Sequence, residues 1–244
     1  MQQRGAKEVQ RIDGLLRSAI DRYHMIEEGD RIGVGVSGGK DSMVLLTSLA
    51  RLRAYLPKRF ELVALTMDPC FGGEYTDYTP IARLCGEMGV EYILKRTQLG
   101  QIVFEQREEA NPCSLCAKLR RGILHNMAKE AGCNRLALGH HFDDAAETFV
   151  MNLFYGGKIG CFSPVTWLDR KELTLIRPMI FVEERLVRSA AKKESLPVVK
   201  SRCPVDGNTK RQEIKDLLWS LEKDYDRLRI KIVGALQRAG IDGW

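Results

Sequence analysis

The hexapeptide Ser37-Gly38-Gly39-Lys40-Asp41-Ser42 has the residue types of an anion-binding turn. Its two glycines open backbone angles closed to other residues, so that successive N–H groups can converge on one anion. The string lies between the apolar run RIGVGV (31–36) and a helical pattern beginning at Asp41. A helix N-terminus at that place adds unpaired donors and a partial positive charge. Ser37 and Ser42 can donate hydroxyl hydrogen bonds, and Lys40 supplies a full charge. Asp41 can cap the helix or help to hold a magnesium ion. The spacing is not that of a Walker A loop, G-x-x-x-x-G-K-[ST].

Two further strings carry chemistry. In Asn111-Pro112-Cys113-Ser114-Leu115-Cys116 the thiols are three residues apart, on one face of a helical turn, and can share a metal or cluster. Pro112 suits a helix start, and a helix N-terminus would lower the thiol pKa values. Two thiols do not complete a site, and a structural zinc usually takes two such pairs. The other five of the seven cysteines are Cys70, Cys85, Cys133, Cys161 and Cys203, all single. Cys85 and Cys133 read as core, whereas Cys70 and Cys161 fall in loops. The third string, Gly139-His140-His141-Phe142-Asp143-Asp144, ends a strand and starts a helix. Its histidines and carboxylates can contact phosphates, a magnesium ion or a reacting base, and one of the two aspartates is expected to cap the helix.

The elements that must position these strings follow from periodicity. Apolar runs predict strands at 31–36, 61–67, 90–96, 135–140 and 173–179. Helical spacing predicts helices at 9–28 (ended by Gly29), 41–56, 77–89, 114–131 and 143–155. Residues 156–172 have no clear period and read as a loop, and helical spacing returns from Thr209. The alternation predicts an α/β fold with a parallel, doubly wound sheet. Ligands of such sheets bind at the carboxyl ends of the strands, which is where 37–42, 67–70 and 139–144 fall. The chain is 44% apolar and 29% charged, and no apolar run approaches the roughly 20 residues that span a bilayer. The N-terminus has no apolar signal core. A soluble, cytoplasmic protein with no membrane partner is expected. A net charge of +6 permits a polyanionic partner.

SGGKDS resembles the signature of the PP-loop ATP pyrophosphatase superfamily. The resemblance implies a parallel α/β sheet, pyrophosphate bound in the 37–42 loop, and ATP cut between its α- and β-phosphates. It also implies that Thr66, Met67 and Asp68 lie near the adenine and ribose. Together with PCSLCAKLRRGIL, LALGHHFDD, NLFYGGK and LIRPM, in that order, the chain resembles the tRNA 2-thiocytidine synthetase family from about residue 10 to about residue 220. Family members thiolate a cytidine at position thirty-two of the tRNA anticodon loop. They carry a four-iron four-sulfur (4Fe-4S) cluster on three cysteines, here Cys113, Cys116 and Cys203, the last of these eight residues before Arg211 of the RQEIKD string. Such a cluster leaves one iron open, a position at which hydrosulfide can bind.

The implied chemistry adenylates the C2 oxygen and displaces AMP with sulfur, so the cofactors are ATP, Mg2+ and the cluster. Lys40, Asp41, Asp143 and Asp144 are the implied catalytic residues. Ser37 to Ser42, Thr66 to Asp68, Gly139 and His140 bind the nucleotide. Lys118, Arg120 and Arg121 are candidates for tRNA phosphate contacts. The implied partners are tRNA and a cysteine desulfurase or other sulfide source, with a homodimer left open. The implied organisation is an N-terminal helix (1–29), a PP-loop domain (30–200) and a C-terminal helical extension (201–244) carrying the third ligand.

One departure stands out. The family usually has a second Cys-x-x-Cys around Cys203, where this chain has Lys200 and Asp206. That leaves a related but distinct substrate open. The rival third ligand is Cys161, which sits in a Gly-rich loop and can also swing inward. Two other readings compete. A tRNA lysidine synthetase-like ligase, or another PP-loop tRNA-modifying enzyme, shares SGGKDS but needs no cysteine site. A non-catalytic cluster- or zinc-bearing RNA-binding protein would not need SGGKDS.

Overall fold

A computed structural model describes residues 2–106, 112–205, 207 and 209–244, so Asn111 and Asp206 lie outside the described residues. The five apolar runs become the strands β1 (Arg31–Gly35), β2 (Glu61–Asp68), β3 (Glu91–Arg96), β4 (Arg135–Ala137) and, after one more strand, β6 (Leu173–Ile176). The additional strand, β5 (Val165–Leu168), falls in the segment expected to be a loop. Its four residues are too few to show a period, but their β-branched and aromatic side chains suit an edge strand. The sheet order is β3-β2-β1-β4-β6-β5. All neighbouring pairs are parallel except β5 with β6, which is antiparallel. The chain moves outward from β1 on one side to β2 and β3, then returns to the other side at β4. That reversal opens a crevice between the carboxyl ends of β1 and β4.

The helices are α1 (Gln2–Arg22), α2 (Lys40–Leu52), α3 (Thr79–Glu87), a single turn α4 (Leu99–Gln101) running into a π-helical turn (Ile102–Gln106), α5 (Pro112–Glu130), α6 (Phe142–Gly156), α7 (Glu184–Lys193), α8 (Lys210–Leu221) and α9 (Leu228–Ala239). The α1 helix stops at Arg22 and does not reach Gly29. His24 takes a left-handed φ of 49°, and Met25 and Ile26 then turn into the core. Neither α4 nor α7 was expected from periodicity. The α7 helix buries Leu186, Val187, Ala190 and Ala191 in the core shared with α1 and α2. Among the described residues no helix is long and apolar enough to cross a membrane.

Alternation along the strands divides the interior between the two faces of the sheet. Ile32, Val34, Leu62 and Ala64 face the cluster that includes α1, α2 and α7. Val63, Leu65 and Met67 face the other, with Cys116 and Met127 of α5. The glycines of RIGVGV lie on this second face. A Cβ at Gly33 would meet Leu65 Cδ1 at 2.7 Å, and one at Gly35 would meet Leu124 Cδ2 of α5 at 3.0 Å. The bare middle of β1 therefore lets α5, with its cysteine pair, lie close against the strand that feeds the phosphate loop.

Candidate active site

The 37–42 string is the turn from β1 into α2. Gly38 has φ +85°, and a Cβ there would lie 3.0 Å from Val199 Cβ. Left-handed backbone of this kind favours glycine. Gly39 departs from expectation: as the N-cap of α2 it has ordinary extended angles, so only Gly38 uses the glycine freedom. The turn is braced from within. Ser37 N–H donates to Ser42 Oγ (3.2 Å), whose hydroxyl donates to the Gly39 carbonyl (2.9 Å). It is also braced from outside, by Val199 N–H on the Gly38 carbonyl (2.9 Å). Gly139, past the end of β4, packs directly on the first turn of α2. A Cβ there would come within 3.2 Å of Asp41 C and Ser42 N.

Lys40 Nζ lies 2.9 Å from Asp41 Oδ1 and 3.1 Å from Glu184 Oε1. Burial pulls the Lys40 pKa down, but Asp41 and Glu184 outweigh it and hold the pKa above its ordinary value. Burial likewise pushes the Glu184 carboxyl up, and the hydrogen bonds from Lys215 and Lys40 reverse this, holding it at about 2. Neither Glu184 nor Lys215 was singled out by the sequence.

Both aspartates of the third string are engaged at helix ends. Asp144 Oδ2 accepts from His141 N–H (2.9 Å) while His141 Nδ1 accepts from Asp144 N–H (3.4 Å), a capping box at the start of α6. With Nδ1 accepting, a neutral His141 ring carries its proton on Nε2, 3.7 Å from Asp41 Oδ1. Asp144 Oδ1 is 3.2 Å from Arg211 Nη1 of α8. Asp143 Oδ2 accepts from the Glu184 N–H at the start of α7 (2.7 Å), and its Oδ1 is 3.5 Å from Arg229 Nε of α9. His140 packs its ring 5.0 Å from Phe162. Burial, reinforced by the charge of Arg177, pushes the His140 pKa down to about 4. The ring is therefore neutral at neutral pH, and its buried Nδ1 has no hydrogen-bond partner among the described residues.

At the end of β2, Thr66 donates to the Val36 carbonyl (2.9 Å) and so ties β2 to the strand entering the loop. The fully buried Asp68 accepts from Cys70 N–H (3.1 Å) and Thr76 N–H (3.0 Å), which shapes the 70–76 segment. The Met67 side chain points to the α5 face.

The seven cysteines are all free thiols. Cys113 and Cys116 occupy the first turns of α5. Burial pushes the Cys116 pKa up, Arg120 draws it down, and Cys203 and Cys113 push it further up. The lowering expected from the helix N-terminus is thus overridden at Cys116. Cys203, about 90 residues further along, lies in the chain between α7 and α8, the same segment in which Val199 clasps Gly38, and it is within electrostatic range of Cys116. Cys161 lies elsewhere, its Sγ donating to the Ala145 carbonyl (3.5 Å), with burial raising its pKa to about 12. Burial pushes Cys85 and Cys133 to about 11, as suits core thiols. The trio 113, 116 and 203 is within electrostatic reach without being in contact. Among the described residues no three His, Cys, Asp or Glu side chains converge closely enough to grip a single metal ion. A four-iron cube is wider than one ion, and three free neighbouring thiols fit it as a donor set.

Tyr78 Cε1 would be 3.4 Å from a Cβ at Gly38. The Tyr78 pKa is raised by burial and by Asp68 and lowered by Arg120, the same guanidinium that acts on Cys116. Arg120 is thus within electrostatic range of both Tyr78 and Cys116. The neighbouring Arg121 donates from Nε to the Ala117 carbonyl (3.2 Å), and Lys118, Arg120 and Arg121 are all exposed.

Known proteins resemble this chain in sequence and in fold. The PP-loop domain family matches residues 8–220. The tRNA-cytidine(32) 2-sulfurtransferase of Syntrophotalea carbinolica is 43% identical over 229 residues, which is 93% of this chain and 88% of that protein. Its counterpart from Geobacter sulfurreducens is 40% identical over 229 residues, with the same two shares, 93% and 88%. Among solved structures, the U34-tRNA thiolase NcsA from Methanococcus maripaludis with its 4Fe-4S cluster superposes with a TM-score of 0.79 at 26% identity, covering 96% of this chain and 79% of that one. The sequence matches take in the phosphate loop, the cysteine pair and the histidine string together, and on that ground the chain belongs to the PP-loop domain family and, within it, to the tRNA-cytidine(32) 2-sulfurtransferases.

Proposed function

We propose that this chain is an ATP-dependent tRNA sulfurtransferase that replaces the C2 oxygen of cytidine 32 in the anticodon loop with sulfur, releasing AMP and pyrophosphate. The observation that carries this reading is the hydrogen bond from Val199 N–H to the Gly38 carbonyl (2.9 Å), which ties the segment leading to Cys203 to the phosphate loop. A phosphate loop and a thiol-bearing segment are thus joined, as a reaction coupling ATP cleavage to sulfur transfer requires.

A carbonyl oxygen at C2 leaves poorly, and transfer of AMP to it makes a good leaving group. The N–H groups of the 37–42 turn and the α2 N-terminus would cradle the departing pyrophosphate. Lys40 neutralises charge developing on the phosphates, and Asp41, whose Oδ1 faces both Lys40 Nζ and His141 Nε2, would hold magnesium. Ser37 and Ser42 hold the turn in shape. Thr66, Met67 and Asp68 form the wall for adenine and ribose, Thr66 and Asp68 by fixing the backbone. Gly139 closes the crevice onto α2, and neutral His140 lines its rim. Asp143 and Asp144 serve the reaction by fixing the starts of α7 and α6, since their oxygens are already engaged there.

Cys113, Cys116 and Cys203 would hold a 4Fe-4S cluster, which when bound supplies an open iron for sulfur delivery. Three thiols suffice, so Lys200 and Asp206 in place of a second pair do not remove the site. In this scheme residues 1–29, 30–200 and 201–244 are the N-terminal helix, the catalytic domain and the ligand-bearing extension. The sulfur comes from a cysteine desulfurase or another sulfide source in the cytoplasm, and a homodimer is compatible with it.

The test is anaerobic incubation of the iron-loaded protein with unmodified tRNA, ATP, magnesium and sulfide, followed by mass spectrometry of the nucleosides. Appearance of 2-thiocytidine together with AMP is expected. A thiolated base other than cytidine, or a lysine-bearing cytidine, would replace this assignment.

A further inference from the structure

Lys40 has two carboxylate neighbours, and they differ in what else they can do. Asp41 is adjacent in sequence and, in the reading above, turns to magnesium when the nucleotide binds. Glu184 is buried, with 8% of its surface exposed, and cannot turn away. Its N–H is held by Asp143, and Asp143 faces Arg229 of α9. Its Oε1 faces Lys40 Nζ at 3.1 Å, and its Oε2 accepts from Lys215 Nζ at 2.7 Å. The exposed Arg188 also reaches Oε1, at 3.2 Å.

Lys215 belongs to the RQEIKD string, which the proposed mechanism uses only as a landmark after Cys203. On α8 it lies four residues after Arg211, on the same helix face. Arg211 reaches Asp144 Oδ1 (3.2 Å), Glu147 Oε2 (3.3 Å) and Thr148 Oγ1 (3.1 Å) on α6. The one face of α8 thus spans the start of α7 and the flank of α6.

We propose that Glu184 is the positioning residue for Lys40, and that Lys215 sets the strength of its hold by sharing the carboxylate. A lysine carries a flexible four-carbon stem, and its ammonium must be fixed to act on a phosphate at the right place. A buried carboxylate does this, but alone it would compete with the phosphate for the same ammonium. Lys215 draws part of the Glu184 charge to its own side and leaves Lys40 held yet available. The C-terminal helices thereby govern the nucleotide site, and the extension that follows Cys203 tunes ATP chemistry as well. The inference rests on Lys40 acting on the phosphates.

Opposite kinetic signatures follow for the two partners. In Glu184→Gln two ammonium groups lose the carboxylate between them and repel, so Lys40 is displaced. The kcat for tRNA-dependent AMP formation should fall about ten- to hundred-fold, with a smaller change in KM for ATP. In Lys215→Met the carboxylate loses its partner on Oε2 and is shared only with the exposed Arg188, so KM for ATP should rise several-fold while kcat changes less. Removing both, in Glu184→Gln with Lys215→Met, also removes the repulsion and should recover part of the kcat lost in Glu184→Gln. A merely structural Glu184 gives no such recovery.

The measurement is steady-state AMP formation over a range of ATP concentrations, with circular dichroism melts of each variant. Wild-type kcat and KM in Glu184→Gln and Lys215→Met overturn the proposal, as does a double variant no better than Glu184→Gln alone. Should Glu184→Gln fail to fold, the partly exposed Lys215→Met decides, and an unchanged KM for ATP counts against the proposal. Lys40→Ala is the arm that separates the two levels. Wild-type activity there removes the reading of Lys40 itself, whereas an inactive Lys40→Ala beside unaffected Glu184 and Lys215 variants removes only the present inference.

Discussion

Replacing Lys40 with alanine should separate catalysis from folding. The ammonium acts on charge that develops as ATP is cut, and loss of one such contact typically lowers kcat by about 10²- to 10³-fold, or about 2.7–4 kcal/mol of barrier. The cost to the fold is smaller because of Glu184. A buried carboxylate stripped of its partners costs about 3–5 kcal/mol. Here it keeps Lys215 at 2.7 Å and Arg188 at 3.2 Å, so it is not orphaned. What remains is the loss of the two hydrogen-bonded ion pairs that the partly exposed Lys40 makes with Glu184 and Asp41, about 2 kcal/mol together. For a domain of this size that lowers Tm by about 4–8 °C. The thiols of Cys113, Cys116 and Cys203 are untouched, so iron content should match the wild type. The assay is tRNA-dependent conversion of labelled ATP to AMP, run beside a thermal melt and an iron count. A folded, iron-loaded Lys40→Ala protein with wild-type AMP formation would refute the reasoning. So would a loss of activity accompanied by a collapse of the melt, since Lys40 would then be part of the scaffold.

Four more outcomes are expected. Gly38→Ala places a side chain at φ +85°, against Val199 Cβ at 3.0 Å; the left-handed angle alone costs about 1–2 kcal/mol. Calorimetry with pyrophosphate should show weaker binding with unchanged iron content, and wild-type affinity would mean that the turn does not hold the phosphates. Cys113→Ala, Cys116→Ala and Cys203→Ala should each lose the cluster and thiolation after anaerobic reconstitution, while Cys85, Cys133 and Cys161 variants keep both; a full cluster in Cys203→Ala overturns the ligand assignment. Arg120→Ala with Arg121→Ala should flatten the dependence of log tRNA affinity on log salt by roughly one unit or less per lost contact; an unchanged slope puts the tRNA on another face. Glu184 also predicts a pH dependence of stability: its carboxyl titrates at about 2 in the fold against an ordinary 4.5, so its contribution is whole above pH 4.5 and is lost as pH falls toward 2. That contribution is on the order of 3 kcal/mol; in urea melts the stability gap between wild type and Glu184→Gln should narrow between pH 6 and pH 3, and a constant gap rejects it.

What could be read from the sequence was whatever is encoded locally. RIGVGV followed by SGGKDS declares a strand, a turn and a helix start within twelve residues, and the structure places all three there. The same holds for the cysteine pair, since three-residue spacing on a helix is a local fact. The failures are contacts between segments far apart in the chain. Nothing near Glu184 indicates that its carboxylate meets Lys40, 144 residues earlier, or Lys215, 31 residues later. Asp143 and Asp144 look alike in sequence, yet one fixes α7 through Glu184 N–H and the other fixes α6 through His141. Strand β5 was lost because four residues carry no period, and its place in the sheet comes from Leu173–Ile176 beside it. Cys116 shows the same limit in energetic form. A helix N-terminus argues for a lowered thiol pKa, but burial on the α5 face of the sheet wins, and α5 lies close to that face where Gly35 has no side chain to strike Leu124. A glycine that reads as part of a strand thus helps to decide the environment of a thiol some eighty residues later. A Gly35→Val protein, whose side chain would strike Leu124, should expose the cysteine turn, and faster alkylation of Cys116 in it than in the wild type is the measurable consequence.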